Sequence, residues 1–304
     1  PKDALYKGKP RSRIAYLCAS KRMDWEPVAW TEFDGKNIVF TDIQKGPVMR
    51  VATYERGRLR FWTDPFEINV SNEFHFFTPS DSVQDVTLFA KYTLRADEMF
   101  LNRMIGGTFE GSNDPDFREK EVLYLINEKP KRLQTVVQSY SSKSYRYVRY
   151  IGPKDSHCNI AEAAFYTPND TASLKGKVIG TPGCFQKDGS HEYTNVFDGD
   201  VTTSFDYIEP SGGWSGLDLG TPKQIGRIVY TPRSYDNYIR SGDDYELFYC
   251  ARRNNWKSLG DQRSKADSLI YIKIPVNALL LLCNNTRGIQ ERIFVYTAAE
   301  QIWK

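Results

Sequence analysis

The chain has 304 residues, enough for two or three domains with cores of their own. Its 41 lysines and arginines nearly balance 38 aspartates and glutamates, so charge gives no reason to expect nucleic acid, which usually needs a basic stripe. No apolar run reaches membrane-spanning length; the tightest cluster, Ala278–Leu282, is strand-sized. From the N-terminus, strands are predicted over Arg13–Cys18, Pro27–Phe33, Ile38–Phe40, Val48–Tyr54 and Leu59–Trp62. Asp34-Gly35 and Glu55-Arg56-Gly57 are the turn signals between them. This first block, residues 1–72, is expected to be a small β-sandwich. A second block, 73–168, contains G-G-T-F-E-G-S-N-D-P-D-F (Gly106–Phe117), then E-V-L-Y-L-I, then Y-R-Y-V-R-Y-I-G-P-K-D-S-H-C-N-I-A-E-A-A-F-Y (Tyr145–Tyr166). The third, 169–304, carries N-V-F-D-G-D-V-T-T-S-F-D from Asn195, G-G-W-S-G-L-D-L-G, I-V-Y-T-P-R and Y-E-L-F-Y. Helical periodicity is scarce throughout, and aromatic residues, which favour strands, are 14% of the chain. The fold class expected is all-β.

Blocks two and three have the pattern of a diverged repeat. Leu88–Arg95 falls beside Ile228–Arg233, Phe109–Asp114 beside Tyr245–Cys250, Tyr147–Tyr150 beside Leu279–Leu282, and Ile160–Tyr166 beside Gln290–Tyr296. Few identities survive; Glu162 is set against Glu291, one place out of the register that brings Tyr166 to Tyr296. The second block has no counterpart of the D-G-D loop and is expected to be a degenerate unit.

The order D-G-D, W-S-G-L-D-L-G, I-V-Y-T-P-R, Y-E-L-F-Y resembles the discoidin domain, the coagulation factor V/VIII C-type jelly roll of the galactose-binding-like class. The first block is similar to prealbumin-like accessory sandwiches. The resemblance implies a degenerate and then a complete discoidin-like sandwich, and a protein that holds a ligand. It also implies a secreted, periplasmic or outer cell-surface location of the bacterial type. No signal peptide stands ahead of Pro1, and a mature or trimmed form of an exported protein is expected. The partner expected is a glycan or glycoprotein, with no nucleic acid. The alternative is a structural spacer or docking module for a catalytic domain outside this chain, transglutaminase-like or a glycoside hydrolase.

Two sites follow. Asp198, Asp200 and Thr203 lie in one short loop, and hard cations such as calcium need several oxygen ligands of this kind. Gly199 lets the chain bend so that both aspartates converge. The resemblance implies a structural calcium here, with Glu291 closing the shell. The other reading is an Asx turn, in which the aspartates accept backbone N–H groups. The second site is a ligand face of Trp214, Arg233, Tyr235, Asp236, Asn237, Tyr238 and Arg240, offering rings to stack on a sugar and planar groups for its hydroxyls. The competing reading packs the tyrosines and Trp214 onto the sandwich and pairs Arg233 and Arg240 with Asp243 or Asp244. Trp256 is expected to be structural.

Catalytic motifs are scarce. G-x-S-x-G, the P-loop and H-E-x-x-H are absent, and His157-Cys158 are adjacent in sequence. The chain is expected not to be an enzyme. Five scattered cysteines form no C-x-x-C pair and read as small apolar core residues, with Cys250 and Cys283 the one pair that could be neighbours.

Overall fold

The computed structural model describes residues 14–20, 22–33, 37–92, 95–252, 255–288 and 291–304, without the side chains of 95–97 and 255. The expected turn at Asp34-Gly35 and the repeat position Gln290 lie outside the described residues. The molecule is all-β, with antiparallel sheets in two compact units. One unit is Pro1–Tyr92 with Ile239–Lys304; the other is Thr93–Tyr238.

The first unit opens with β1 (Ile14–Ser20), β2 (Glu26–Glu32), β3 (Val48–Glu55), β4 (Arg58–Phe61), β5 (Phe66–Ile68) and β6 (Phe74–Phe76). They form one sheet in the order β2-β1-β3-β5-β6, with β4 paired to β3. Side chains alternate across a strand, and here both faces are covered. Ala15, Leu17, Met49, Val51, Phe66 and Ile68 pack on one face. Cys18, Val48 and Ala52 point the other way, into a core shared with Cys250, Leu279, Leu281 and Ile293. Arg50 shares the face of Val48 and Ala52 and is fully buried. Its Nε donates to Thr63 O at 3.0 Å, and its guanidinium lies 4.5 Å from the Phe61 ring centroid and 5.3 Å from that of Trp25. Burial pulls that guanidinium below its ordinary pKa. β7 (Val83–Leu88) ends this stretch.

The second unit holds α1 (Arg95–Asn102), β8 (Thr108–Ser112), β9 (Lys120–Leu125), β10 (Thr135–Gln138), β11 (Ser144–Ile151), β12 (Ile160–Tyr166), β13 (Lys177–Gly180), β14 (Trp214–Gln224) and β15 (Arg227–Pro232). A five-stranded sheet, β13-β14-β11-β8-β9, faces a three-stranded one, β10-β15-β12. Phe109, Val148, Tyr150 and Leu217 from the first meet Phe165, Ile228 and Tyr230 from the second in one core. This is a β-sandwich, with inward residues alternating along each strand.

The chain then returns to the first unit through β16 (Asp244–Ala251), β17 (Asn255–Arg263), β18 (Leu269–Pro275), β19 (Leu280–Asn284), β20 (Ile293–Thr297) and β21 (Glu300–Trp303). Their sheet runs β17-β16-β19-β20-β21, and β18 pairs with β7. Val86 and Leu88 of β7 share a core with Leu247, Leu269, Leu282 and Phe294.

The two units correspond in part of these paths, with the partners of β7 and β15 exchanged, but β12 pairs with β15 whereas β20 pairs with β19 and β21. The path β9-β8-β11 in the second unit matches β17-β16-β19 in the first. In an unexchanged repeat β7 would pair with β10, and β15 with β18. Instead β7 pairs with β18 and β15 with β10. The boundaries expected at 72/73 and 168/169 therefore differ from those of the units. Tyr166 and Lys177 stand on either side of the second boundary, yet β12 pairs with β15 and β13 with β14 inside one sandwich. The five cysteines are free thiols. Cys283 stands opposite Glu246 in the ladder, four residues along β16 from Cys250, so those two are not cross-strand partners.

Candidate functional site

A single-turn 3₁₀ helix, Tyr193–Phe197, delivers the D-G-D loop of the second unit, with Asp198 at its C-cap. Gly199 takes a φ of 85°, in the left-handed region that costs glycine little. Asp198 Oδ1 accepts the Asp200 N–H at 2.7 Å, and Asp200 Oδ1 accepts the Thr202 N–H at 2.9 Å, two successive Asx turns. Thr203 Oγ1 lies 2.8 Å from Asp198 Oδ2 and 2.9 Å from Asp200 O. The carboxylate that closes this loop is Glu162 of β12, whose Oε1 accepts the Gly199 N–H at 2.9 Å. Burial first, and then the hydrogen bond with the Asp198 side chain, push its carboxyl up to about 8. Glu291, expected in this role, belongs to the other unit, where burial raises its pKa. Glu162 reaches the loop because β12 is built into the sandwich that carries it, pairing there with β15. Among the described residues, no group of three or more His, Cys, Asp or Glu side chains is arranged to hold a metal ion.

The ligand face is divided differently from the expectation. Arg233, just past β15, has a side chain only 13% exposed, and its Nη1 pairs with Asp206 Oδ2 at 2.5 Å. Its guanidinium also sits 4.4 Å from the Phe100 ring centroid. The partner is thus Asp206, rather than Asp243 or Asp244. Asp243 is taken by Arg287 Nε at 2.6 Å and Asn284 Nδ2 at 2.9 Å. Asn237 and Tyr238 are buried, while Asp236 is half-buried with φ at 60°. Tyr235 is half exposed, with its ring tilted against Phe100 at 5.8 Å. Arg240 lies in the other unit, and its backbone N–H donates to Tyr245 Oη at 2.9 Å.

Trp214 of β14 joins a different assembly. Its ring lies 5.7 Å from Phe117, and the Arg149 guanidinium is 4.0 Å from the Phe117 centroid and 5.3 Å from that of Trp214. Arg149 also pairs with Glu110 at 2.7 Å, and Lys120 reaches the other Glu110 oxygen at 3.0 Å. A largely buried, fully paired stack of this kind packs the Asn113–Glu119 segment onto the outer face of β8, β11 and β14. Trp256, expected to be structural, donates from Nε1 to Met23 O at 3.1 Å and packs in the core of the first unit.

Sequence reading missed a polar chain that begins at Arg233. Asp206 Oδ1 accepts from Asn159 Nδ2 at 2.7 Å, and Asn159 Oδ1 accepts from Arg103 Nη1 at 2.9 Å. Asn159 and Asp206 are buried. Arg103 follows α1 and borders an open cleft of about 1030 Å³, also lined by Glu98, Met99, Asn102, Lys154 and Asp155. The one local signal was the S-F-D run containing Asp206.

No family model, no curated protein and no solved structure matches the chain. Two of the three histidines serve as ties between loops: His157 Nδ1 lies 2.9 Å from Tyr207 O, and His191 Nδ1 3.2 Å from Ser204 O. Cys158, next to His157, is buried and its thiol is pushed well above its ordinary pKa by desolvation.

Proposed function

We propose that this chain is a non-catalytic, discoidin-type glycan-binding protein of the cell surface or secreted space, and that the cleft beside α1 receives the sugar. The observation that carries this reading is the buried chain Arg233–Asp206–Asn159–Arg103. A guanidinium held by a buried amide, itself held by a buried carboxylate, is preorganised for hydroxyl recognition. Arg103 supplies donors, Asp155 and Asn102 supply acceptors, and Met99 and Ile105 provide the apolar wall on which a sugar's C–H groups rest. Arg233 then acts as a positioning residue and does not touch the glycan. Calcium at the D-G-D loop would take oxygens from Asp198, Glu162 and Thr203 and the Asp200 carbonyl, and it would brace the loop.

The test is a glycan-array screen of the purified chain with and without a calcium chelator, repeated with Arg103→Ala. A defined hit that weakens about tenfold or more with Arg103→Ala is expected, the loss of one charged hydrogen-bond partner. Loss of the hit on chelation would support the braced loop. A blank array with folded protein would favour the second reading, docking of a catalytic domain. That reading draws on β2, a sheet-edge strand whose Val28 and Trp30 are 60% and 66% exposed.

A further inference from the structure

The first unit contains a cavity that plays no part in the reading above and does not depend on it. It measures about 480 Å³ and is lined by Phe61, Trp62, Asp64, Phe76, Thr78 and Arg252. Volumes of a few hundred Å³ suit one or two sugar rings. Its floor is the segment between β4 and β5, which backbone and side-chain bonds fix to the central strand of the sheet. Trp62 N–H donates to Val51 O at 2.8 Å, Val51 N–H donates to Thr63 Oγ1 at 3.0 Å, and buried Arg50 donates to Thr63 O at 3.0 Å. Trp62 Nε1 donates to Thr53 Oγ1 at 2.9 Å, which sets the angle of the indole ring. The opposite wall is held as well: Asn277 Nδ2 donates to Phe76 O and Thr78 O at 2.9 and 3.2 Å.

The polar groups are left half used. Thr78 Oγ1 donates to Asp64 Oδ2 at 2.7 Å, and that is the one hydrogen bond the described residues make to the Asp64 carboxylate. Arg252, exposed in the turn after β16, makes no hydrogen bond or ion pair among the described residues. An acid and a base line the same cavity and do not pair with each other. A free acceptor, free planar donors and a fixed indole that lines the cavity, with the Arg60 guanidinium 4.5 Å from its ring centroid, together match a pyranose. Adjacent hydroxyls can donate to the carboxylate and accept from the guanidinium while the C–H face rests on an aromatic ring. A net charge on the ligand would be attracted by one of the two groups and opposed by the other. Arg50, buried beneath, also acts on the Asp64 carboxylate. The site therefore gains nothing from a charged ligand, and an uncharged sugar satisfies both groups.

We propose that the cavity framed by Trp62, Asp64, Phe76, Thr78 and Arg252 is a second binding site, for a neutral hexopyranose residue. The full chain would be titrated by ligand-observed saturation-transfer NMR with methyl β-galactopyranoside, methyl β-glucopyranoside and methyl α-mannopyranoside. Methyl glucuronide and glucosamine serve as the charged comparisons. Binding of at least one neutral glycoside is expected, with Kd weakened about tenfold by Asp64→Asn or by Arg252→Ala, as for loss of a hydrogen bond to a charged group. Arg252→Ala alters an exposed turn residue and leaves the core intact, so its effect is read on folded protein. The titrations are repeated in Arg103→Ala protein, where the cleft beside α1 is impaired, and the same dependence on Asp64 and Arg252 is expected there, which separates the cavity from that cleft. The proposal is overturned if no neutral glycoside binds at about 10 mM, a concentration that populates millimolar sites. It is overturned equally if only a charged sugar binds, or if both cavity variants bind like the parent.

Discussion

Glu162 shows how a single side chain can report on the arrangement around it. In the unfolded chain its carboxyl ionises near the ordinary 4.5; in the fold, burial and Asp198 hold it protonated up to about 8. Folding therefore takes up a proton between those values. Stability on this account is fully present below about pH 4.5, falls as pH rises toward 8, and levels off above it. Thermal melts in chelator from about pH 5 to about pH 9 would show this, and Glu162→Gln is expected to flatten the profile. An unchanged profile in that variant would remove Glu162 from the account. Asp198, Gly199, Asp200 and Thr203 were legible in sequence because an Asx turn is written within a few consecutive residues. Glu162 was not legible as the residue that closes the loop, because that depends on which β-strands pair. The local pattern around Arg233 likewise showed a polar loop. It could not show that Asp206, some 27 residues earlier, would fold back and bury the guanidinium.

At the scale of elements, alternation located most strands, since a half-buried strand writes a period of two into its own residues. Strand partnership left no such mark. β7 and β15 are both six residues long, and the alternation within each marks a strand without choosing between β10 and β18 as its partner. The exchange is selected by cores that form only when distant segments meet, with Val86 and Leu88 among the partners of β16, β18 and β19, and Ile228 and Tyr230 among those of β8 and β11. The outer face of the large sheet in the second unit gives a further test. Gly216 of β14 stands opposite Arg149, and a Cβ there would lie 2.7 Å from Arg149 Cβ and press on Val148 O. Gly216→Ala is expected to destabilise by about 2 kcal/mol through overpacking, and to disturb the Trp214–Arg149–Phe117 stack. Equilibrium denaturation with tryptophan fluorescence would read both effects. A neutral result would mean that β14 and β11 are less closely apposed than described.

For the whole molecule, the exchange of halves recasts the question of where the functional body lies. A complete repeat, residues 169–304, contains the D-G-D loop, but the carboxylate that closes the loop and the Arg103 cleft come from the earlier copy. The body that carries both is Thr93–Tyr238, with its own sandwich core. The first unit, in turn, is closed by β16 to β21 returning to pack with the N-terminal sheet. The most direct measurement is to express residues 93–238 and residues 169–304 separately and follow each by thermal unfolding and dispersed amide NMR spectra. The account expects 93–238 to fold with one cooperative transition and to keep the array hit of the full chain, and 169–304 to remain unfolded or aggregate. A folded 169–304 beside an unfolded 93–238 would contradict the exchanged architecture and the site built on it.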